Sequence, residues 1–172
     1  MLSCGDGDNV PVKRLLILRH AKSDWGDSSL DDRERPLSAR GVSDAPRVGA
    51  MLRAQSLVPD LILTSDAVRA RTTAEAAAQA AGYSREIVVE SSLYHATPDQ
   101  VIAVLNAVSD SANAVLVVGH NPGLEDLIEV LTGEEHEMPT AALVQLALPI
   151  DRWRDLDGSI NGTVTEYWRP KG

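Results

Sequence analysis

Leu15-Leu16-Ile17-Leu18-Arg19-His20 is the stretch on which the reading turns. Four apolar residues run without a polar break, the pattern of a strand covered on both faces. Such a strand belongs to a sheet flanked by helices, and the rest of the chain alternates to match. A polar loop occupies 21–36. Ser38 then stands as N-cap of a helix to about residue 55, with Pro46 expected to kink it or to open a second segment. Leu61-Ile62-Leu63-Thr64 is the second strand, followed by an Ala-rich helix over 66–81 capped by Ser65 and stopped by Gly82. Glu86-Ile87-Val88-Val89 is the third strand. Thr97-Pro98-Asp99-Gln100 has the form of a capping box and opens a helix to about 108. Ala114-Val115-Leu116-Val117-Val118 is the fourth strand. Gly119-His120-Asn121-Pro122-Gly123 leads from it into a helix that ends near 131, with Gly133 as its stop. The segments 142–148 and 162–168 alternate and are separated by Asp157-Gly158 and Asn161-Gly162, so they read as an antiparallel pair at a sheet edge, with Trp153 and Trp168 packing there.

The composition narrows the partners. The chain has 172 residues, 44% of them hydrophobic, with three Trp, three Tyr and no Phe. Its core therefore rests on Leu, Val, Ile and Ala. The length predicts a single domain over 13–172 behind a flexible leader over 1–12. A formal charge of −9 argues against nucleic acid or an anionic membrane as partner. No apolar run approaches the roughly 20 residues of a membrane span, and no secretory signal is legible, so a cytoplasmic location is expected. The single Cys4 reads as a free thiol in the leader.

Against that acidic background, a cluster of cationic side chains is informative. Arg19 and His20 directly follow the first strand, Arg69 lies in the first turn of the helix after the second, and His120 directly follows the fourth. If the strands are parallel, all four meet at the carboxyl edge of the sheet, where open α/β sheets bind ligands. They would form a positive pocket suited to a phosphoryl dianion. Arginine presents a planar fork that matches phosphate oxygens. A neutral imidazole offers a lone pair for attack on phosphorus, provided its other nitrogen keeps the proton through a hydrogen bond such as one to a backbone carbonyl. A second histidine, once protonated, stabilises charge on the equatorial oxygens. Helix N-termini near Asp66 and Leu124 are expected to add N–H donors.

The three blocks resemble known signatures. Leu18-Arg19-His20-Ala21-Lys22-Ser23 resembles the Arg-His signature of the histidine phosphatase superfamily. Thr64-Ser65-Asp66-Ala67-Val68-Arg69-Ala70, continuing to Thr73-Ala74, resembles its second block, and Val118-Gly119-His120-Asn121-Pro122-Gly123 its third. Arg35-Pro36-Leu37 with Arg40-Gly41 is similar to the short SixA-type branch, the phosphohistidine phosphatases. The resemblance spans roughly 13–133. It implies a three-layer α/β/α sandwich of the phosphoglycerate mutase-like kind, with a mostly parallel sheet and an antiparallel edge. It also implies no metal and no cofactor. Residue by residue, it implies that His20 is the nucleophile, His120 its catalytic partner, and Arg19 and Arg69 the phosphate-binding pair. Arg71 competes with Arg69 for that place, but the family spacing favours Arg69.

The larger branches of the superfamily carry an acid after the third strand. Here the stretch reads Glu90-Ser91-Ser92-Leu93-Tyr94-His95, with no carboxylate at the matching spot. An imidazole leaving group carries its own proton, so a phosphohistidine substrate would not need that acid. Whether His95 or Glu90 assists stays open, as do pocket or loop roles for Lys22, Asp24 and Trp25. His136 in the acidic run Glu134-Glu135-His136-Glu137 reads as a solvated loop. Three functions compete. The first is a phosphatase of phosphohistidine in a protein such as a phosphotransfer domain of a signalling relay. The second is a phosphatase of small phosphate esters or anhydrides, and the third a phosphate-reading module without turnover. The absence of a cap insertion between the third and fourth strands leaves the crevice open and favours a protein substrate.

Overall fold

The computed structural model describes residues 10–171. Cys4 and the leader up to residue 9 lie outside the described residues. Six strands build one sheet in the order β3-β2-β4-β1-β5-β6: β1 (Lys13–Arg19), β2 (Leu61–Thr64), β3 (Ile87–Val89), β4 (Ala114–Gly119), β5 (Leu143–Leu148) and β6 (Thr163–Trp168). The pairs β1/β4, β2/β4 and β2/β3 are parallel, whereas β5 runs antiparallel to β1 and to β6. The fold is the expected α/β architecture, mostly parallel with an antiparallel edge.

Strand pleating sends alternate side chains to opposite faces, and both faces of the central strands are covered. Leu15, Ile17, Val115 and Val117 join Leu105 of α3 (Pro98–Asn106) and Leu124, Leu127 and Leu131 of α4 (Gly123–Thr132) in one core. Leu16, Leu18, Leu116 and Val118 join Val48 and Leu52 of α1 (Ala39–Ala54) and the alanines of α2 (Val68–Ala81) in the other. Alanine suits α2 because α1 lies close against it. A Cβ on Gly49 would sit 2.0 Å from the Ala77 carbonyl oxygen, so only glycine allows that approach. Among the described residues no helix is long and apolar enough to cross a membrane.

Most local signals act as read. Ser38 Oγ accepts from the Gly41 amide at 3.1 Å. Thr97 and Gln100 form the full capping box, and Gly82 and Gly133 close their helices in the left-handed conformation. Two readings change. Pro46 opens no second segment: α1 runs through it unbroken. Pro46 lies on the solvent side, and the carbonyl it leaves without a donor, that of Val42, belongs to an exposed residue that water can reach. Ser65 does not cap a helix at 66, because α2 starts at Val68 behind Ala67 with no side-chain cap. Trp153 packs as read, fully buried in a 3₁₀ turn (Trp153–Asp155) between β5 and β6, with its Nε1 donating to the Ala112 carbonyl at 2.7 Å.

Candidate active site

Parallel pairing of β1, β2 and β4 places their carboxyl ends side by side. The cleft there, about 240 Å³, is lined by Arg19, His20, Arg69 and His120 together. The sheet register explains part of this, since Arg19 pairs with Gly119 and each histidine is the next residue beyond the paired position.

His20 is buried, and its Nδ1 lies 2.8 Å from the carbonyl oxygen of Ala21. A carbonyl only accepts, so Nδ1 carries the proton and Nε2 holds the lone pair. Arg69 Nε donates toward that Nε2 at 3.4 Å. Burial pushes the His20 pKa down from 6.5 to about 4, and the positive charges of Arg69, Arg19 and Arg35 act in the same direction against the Ala21 hydrogen bond. The imidazole is therefore neutral at neutral pH. His120 lies beside it, ring centroids 5.1 Å apart. Its Nε2 is 2.8 Å from Ser65 Oγ, and its Nδ1 is 3.5 Å from an Arg69 nitrogen that can only donate. His120 thus holds its proton toward Ser65 and a lone pair toward Arg69. Burial, followed by its cationic neighbours, lowers its pKa to about 2.

The same shifts predict a pH dependence. Unfolded histidines take a proton near 6.5, whereas folded His20 takes one only near 4. The unfolded chain thus binds protons first, and stability that is full above pH 6.5 is lost as pH falls through about 4. For a nucleophilic His20 the attacking form is the neutral one, so kcat/KM is then expected to fall on the acid side with an inflection near pH 4. A rate profile with that inflection near 6.5 instead would contradict the burial argument.

Arg19 donates to the Met138 carbonyl at 3.0 Å, and its Nε is buried without a hydrogen-bond partner among the described residues. Burying an unsatisfied donor is costly, and a phosphoryl oxygen is a suitable acceptor. Arg69 is almost wholly buried and lines the cleft, whereas Arg71 is exposed and does not.

Sequence reasoning missed a group that organises the cleft. Asp32 opens a 3₁₀ turn (Asp32–Glu34) in the loop after β1. Its carboxylate accepts from Arg69 at 2.9 Å, from the Tyr94 hydroxyl at 2.5 Å and from His95 Nε2 at 3.2 Å, and it pairs with Arg35 at 2.9 Å. Partial burial raises its pKa, but those four donors outweigh it and hold the carboxyl far below its ordinary range. Arg35 also donates to Ser23 Oγ at 2.7 Å and stacks on the exposed Trp25 ring, 3.5 Å from its centroid. The only sequence signal for Arg35 was its place in the branch motif. For Asp32 there was none beyond the polarity of the loop.

The remaining candidates separate. Lys22, Trp25 and His95 line the cleft; Asp24 and Glu90 do not. The Asp24 side chain accepts from the Gly26 amide. Two amides near the expected helix starts bond within the chain, Ala67 N–H to Ser65 Oγ and Leu124 N–H to the His120 carbonyl. His136 lies 3.0 Å from Glu134 in a separate cleft with Glu125, Asp126, Glu129, Glu135 and Glu137, whose charge would repel a phosphoryl dianion. Among the described residues no cluster of three or more His, Cys, Asp and Glu is arranged to hold a metal ion.

Comparison with known proteins agrees with this geometry. The family model of the histidine phosphatase superfamily (branch 1) matches residues 15–95. An uncharacterized chloroplastic protein of Arabidopsis thaliana is 37% identical over 144 residues, which are 77% of this chain and 66% of that protein, so the chain spans about two thirds of its relative's length. The chain belongs to the histidine phosphatase superfamily.

Within that superfamily its structure is of the SixA type. The SixA-designated protein of Agrobacterium tumefaciens superposes with a TM-score of 0.77 at 28% identity, covering 92% of this chain and 99% of the other. The protein histidine phosphatase SixA in complex with tungstate gives 0.75 at 25% identity, covering 90% and 95%.

Proposed function

We propose that this chain is a phosphatase that removes the phosphoryl group from phosphohistidine in a signalling protein, through a covalent phosphohistidine on His20 and without a metal. The observation that carries the reading is the tautomer of His20: the Ala21 carbonyl holds the proton on Nδ1, leaving the Nε2 lone pair in a cleft walled by guanidinium groups. Arg19 and Arg69 grip the phosphoryl oxygens. A dianion among these cations opposes the burial and cationic repulsion that keep His120 neutral, so His120 takes a proton and stabilises the equatorial charge. Water then hydrolyses the phosphohistidine and restores His20.

The substrate class follows from proton supply. The carboxylate that lines the cleft, Asp32, is held ionised by four donors and has no proton to give. A phosphohistidine leaving group departs as imidazole and needs none. The cleft is open, which suits a residue presented on a protein surface. The test is a panel comparing a phosphohistidine-bearing phosphotransfer domain with phosphoglycerate, with and without a chelator. Faster turnover of the P–N substrate, unchanged by the chelator, is expected. Equal rates on both would remove the substrate assignment, and loss of activity on chelation the metal-free one.

A further inference from the structure

We infer that Arg40, Arg169 and Lys171, with Lys22 at the cleft's edge, form a docking surface for an acidic face of the phosphohistidine-bearing protein, and so select which protein this chain dephosphorylates. The inference rests on the protein-substrate reading above. It starts from a second depression of about 280 Å³, lined by Arg40, Arg169 and Lys171 together with Pro139, Thr140 and Pro170. Thr140 also lines the cleft that holds His20, so the two adjoin.

The fold brings these cations together from three places in the chain. Ser38 donates to the Lys22 carbonyl through its amide at 2.9 Å and through its hydroxyl at 3.1 Å. A Cβ on Gly41 would lie 2.1 Å from that same oxygen, so the first turn of α1, and Arg40 with it, is pressed against the loop that carries Lys22. At the sheet edge Trp168 of β6 pairs with Leu143 of β5, and Ala141 just before β5 donates to the His20 carbonyl. Residues 169–171 therefore run on beside 139–142, next to the end of β1. Arg47 of α1 ties them there by donating to the Lys171 carbonyl at 2.9 Å.

Charge decides what such a surface attracts. The chain as a whole carries −9. Here the sign reverses: among the described residues Lys22, Arg169 and Lys171 make no ion pair, and Arg40 and Arg47 share one carboxylate, Asp44. Screening acts over about 8 Å at physiological ionic strength, so a partner at the surface meets this patch and not the distant net charge. Another flank of the cleft is acidic, since Asn121 adjoins Asp126, which belongs to the cleft with Glu125 and Glu129. A mouth that is basic on one flank and acidic on another orients its partner, with the partner's acidic face over 169–171. The side chains of Lys22, Arg40, Arg169 and Lys171 are all exposed and act through their field. Gripping a second phosphate of a small molecule would call for a pinned, buried fork such as that of Arg69.

The experiment compares wild type with the double variant Arg169→Glu, Lys171→Glu. Both positions lie beyond β6, and neither lines the cleft. The probes are phosphoramidate and two synthetic peptides with a central phosphohistidine, flanked on each side by three aspartates or by three serines. Wild type is expected to favour the aspartate peptide by about 10-fold or more in kcat/KM at low salt, a preference that collapses at about 1 M salt. The double variant should lose or reverse that preference while staying within a few-fold of wild type on phosphoramidate and on the serine peptide. A preference kept by the variant overturns the inference, and so does an equal loss on every probe. Inhibition by propanediol bisphosphate that the variant loses, with the peptide preference intact, would assign the patch to a second phosphate and overturn it as well. Wild type that cleaves every probe without preference refutes this inference alone. Cleavage of phosphoramidate but of neither peptide refutes the protein-substrate reading with it, and cleavage of no probe refutes the phosphatase itself.

Discussion

Replacing His20 by alanine is expected to lower turnover by roughly 10⁴-fold or more and to abolish covalent labelling. Incubated with a labelled phosphodonor, the wild-type chain should carry phosphate that is acid-labile and base-stable, the signature of a P–N bond. The expected loss is large because no neighbouring group can take over. Arg19 and Arg69 have no free electron pair to offer, and His120 points one nitrogen at Ser65 and the other at the Arg69 guanidinium. Among the cleft histidines, His20 has Nδ1 tied to a backbone carbonyl and its second nitrogen unprotonated beside the Arg69 guanidinium. The fold should survive, since the substitution removes a neutral ring at the end of β1 and no ion pair. Label retained by the variant would defeat the nucleophile assignment.

The second large effect is expected at Arg69. Exchange for lysine keeps the charge but should cost roughly 10²–10³-fold in kcat/KM, the scale of removing a preorganised donor from developing charge. One guanidinium here faces His20 Nε2 at 3.4 Å, the Asp32 carboxylate at 2.9 Å and His120 Nδ1 at 3.5 Å. An ammonium cannot span the three, and it presents a point charge where the phosphoryl group meets a fork. Stability should fall by only about 1 kcal/mol, because Asp32 is partly exposed and keeps Arg35, Tyr94 and His95 as partners. Inorganic phosphate should raise the Tm of wild type more than that of the variant. A variant with kcat/KM within a few-fold of wild type would show that charge alone suffices and would end the argument from the fork.

These expectations draw on two layers of information. The strands were legible because Leu15 to Leu18 and Ala114 to Val118 are continuous apolar runs, and only a sheet buried on both faces asks for that pattern. Arg19, His20 and His120 were legible because each sits one or two residues beyond such a run, so parallel pairing alone brings them to one edge. Arg69 needed the motif spacing as well, since Arg71 offers the same chemistry two residues on. Helix limits were less accessible at Ser65, where a capping pattern was present but the hydroxyl turned to His120 and the Ala67 amide instead.

Asp32 shows most clearly what was hidden. It stands in Asp31-Asp32-Arg33-Glu34-Arg35, five charged residues in a row, and nothing in their order singles it out. A 3₁₀ turn aims it inward, and its partners come from 3 to 63 positions away. The amino-acid order by itself determined the layered sheet and three of the four cationic or imidazole groups at its carboxyl edge, because apolar periodicity and strand direction are local properties. Tertiary packing alone decided the tautomer of His120 and the ionised state of Asp32. It likewise decided the contact of His95 with that carboxylate. A proton's location depends on burial and on partners distant in sequence, and those exist only once the chain has folded.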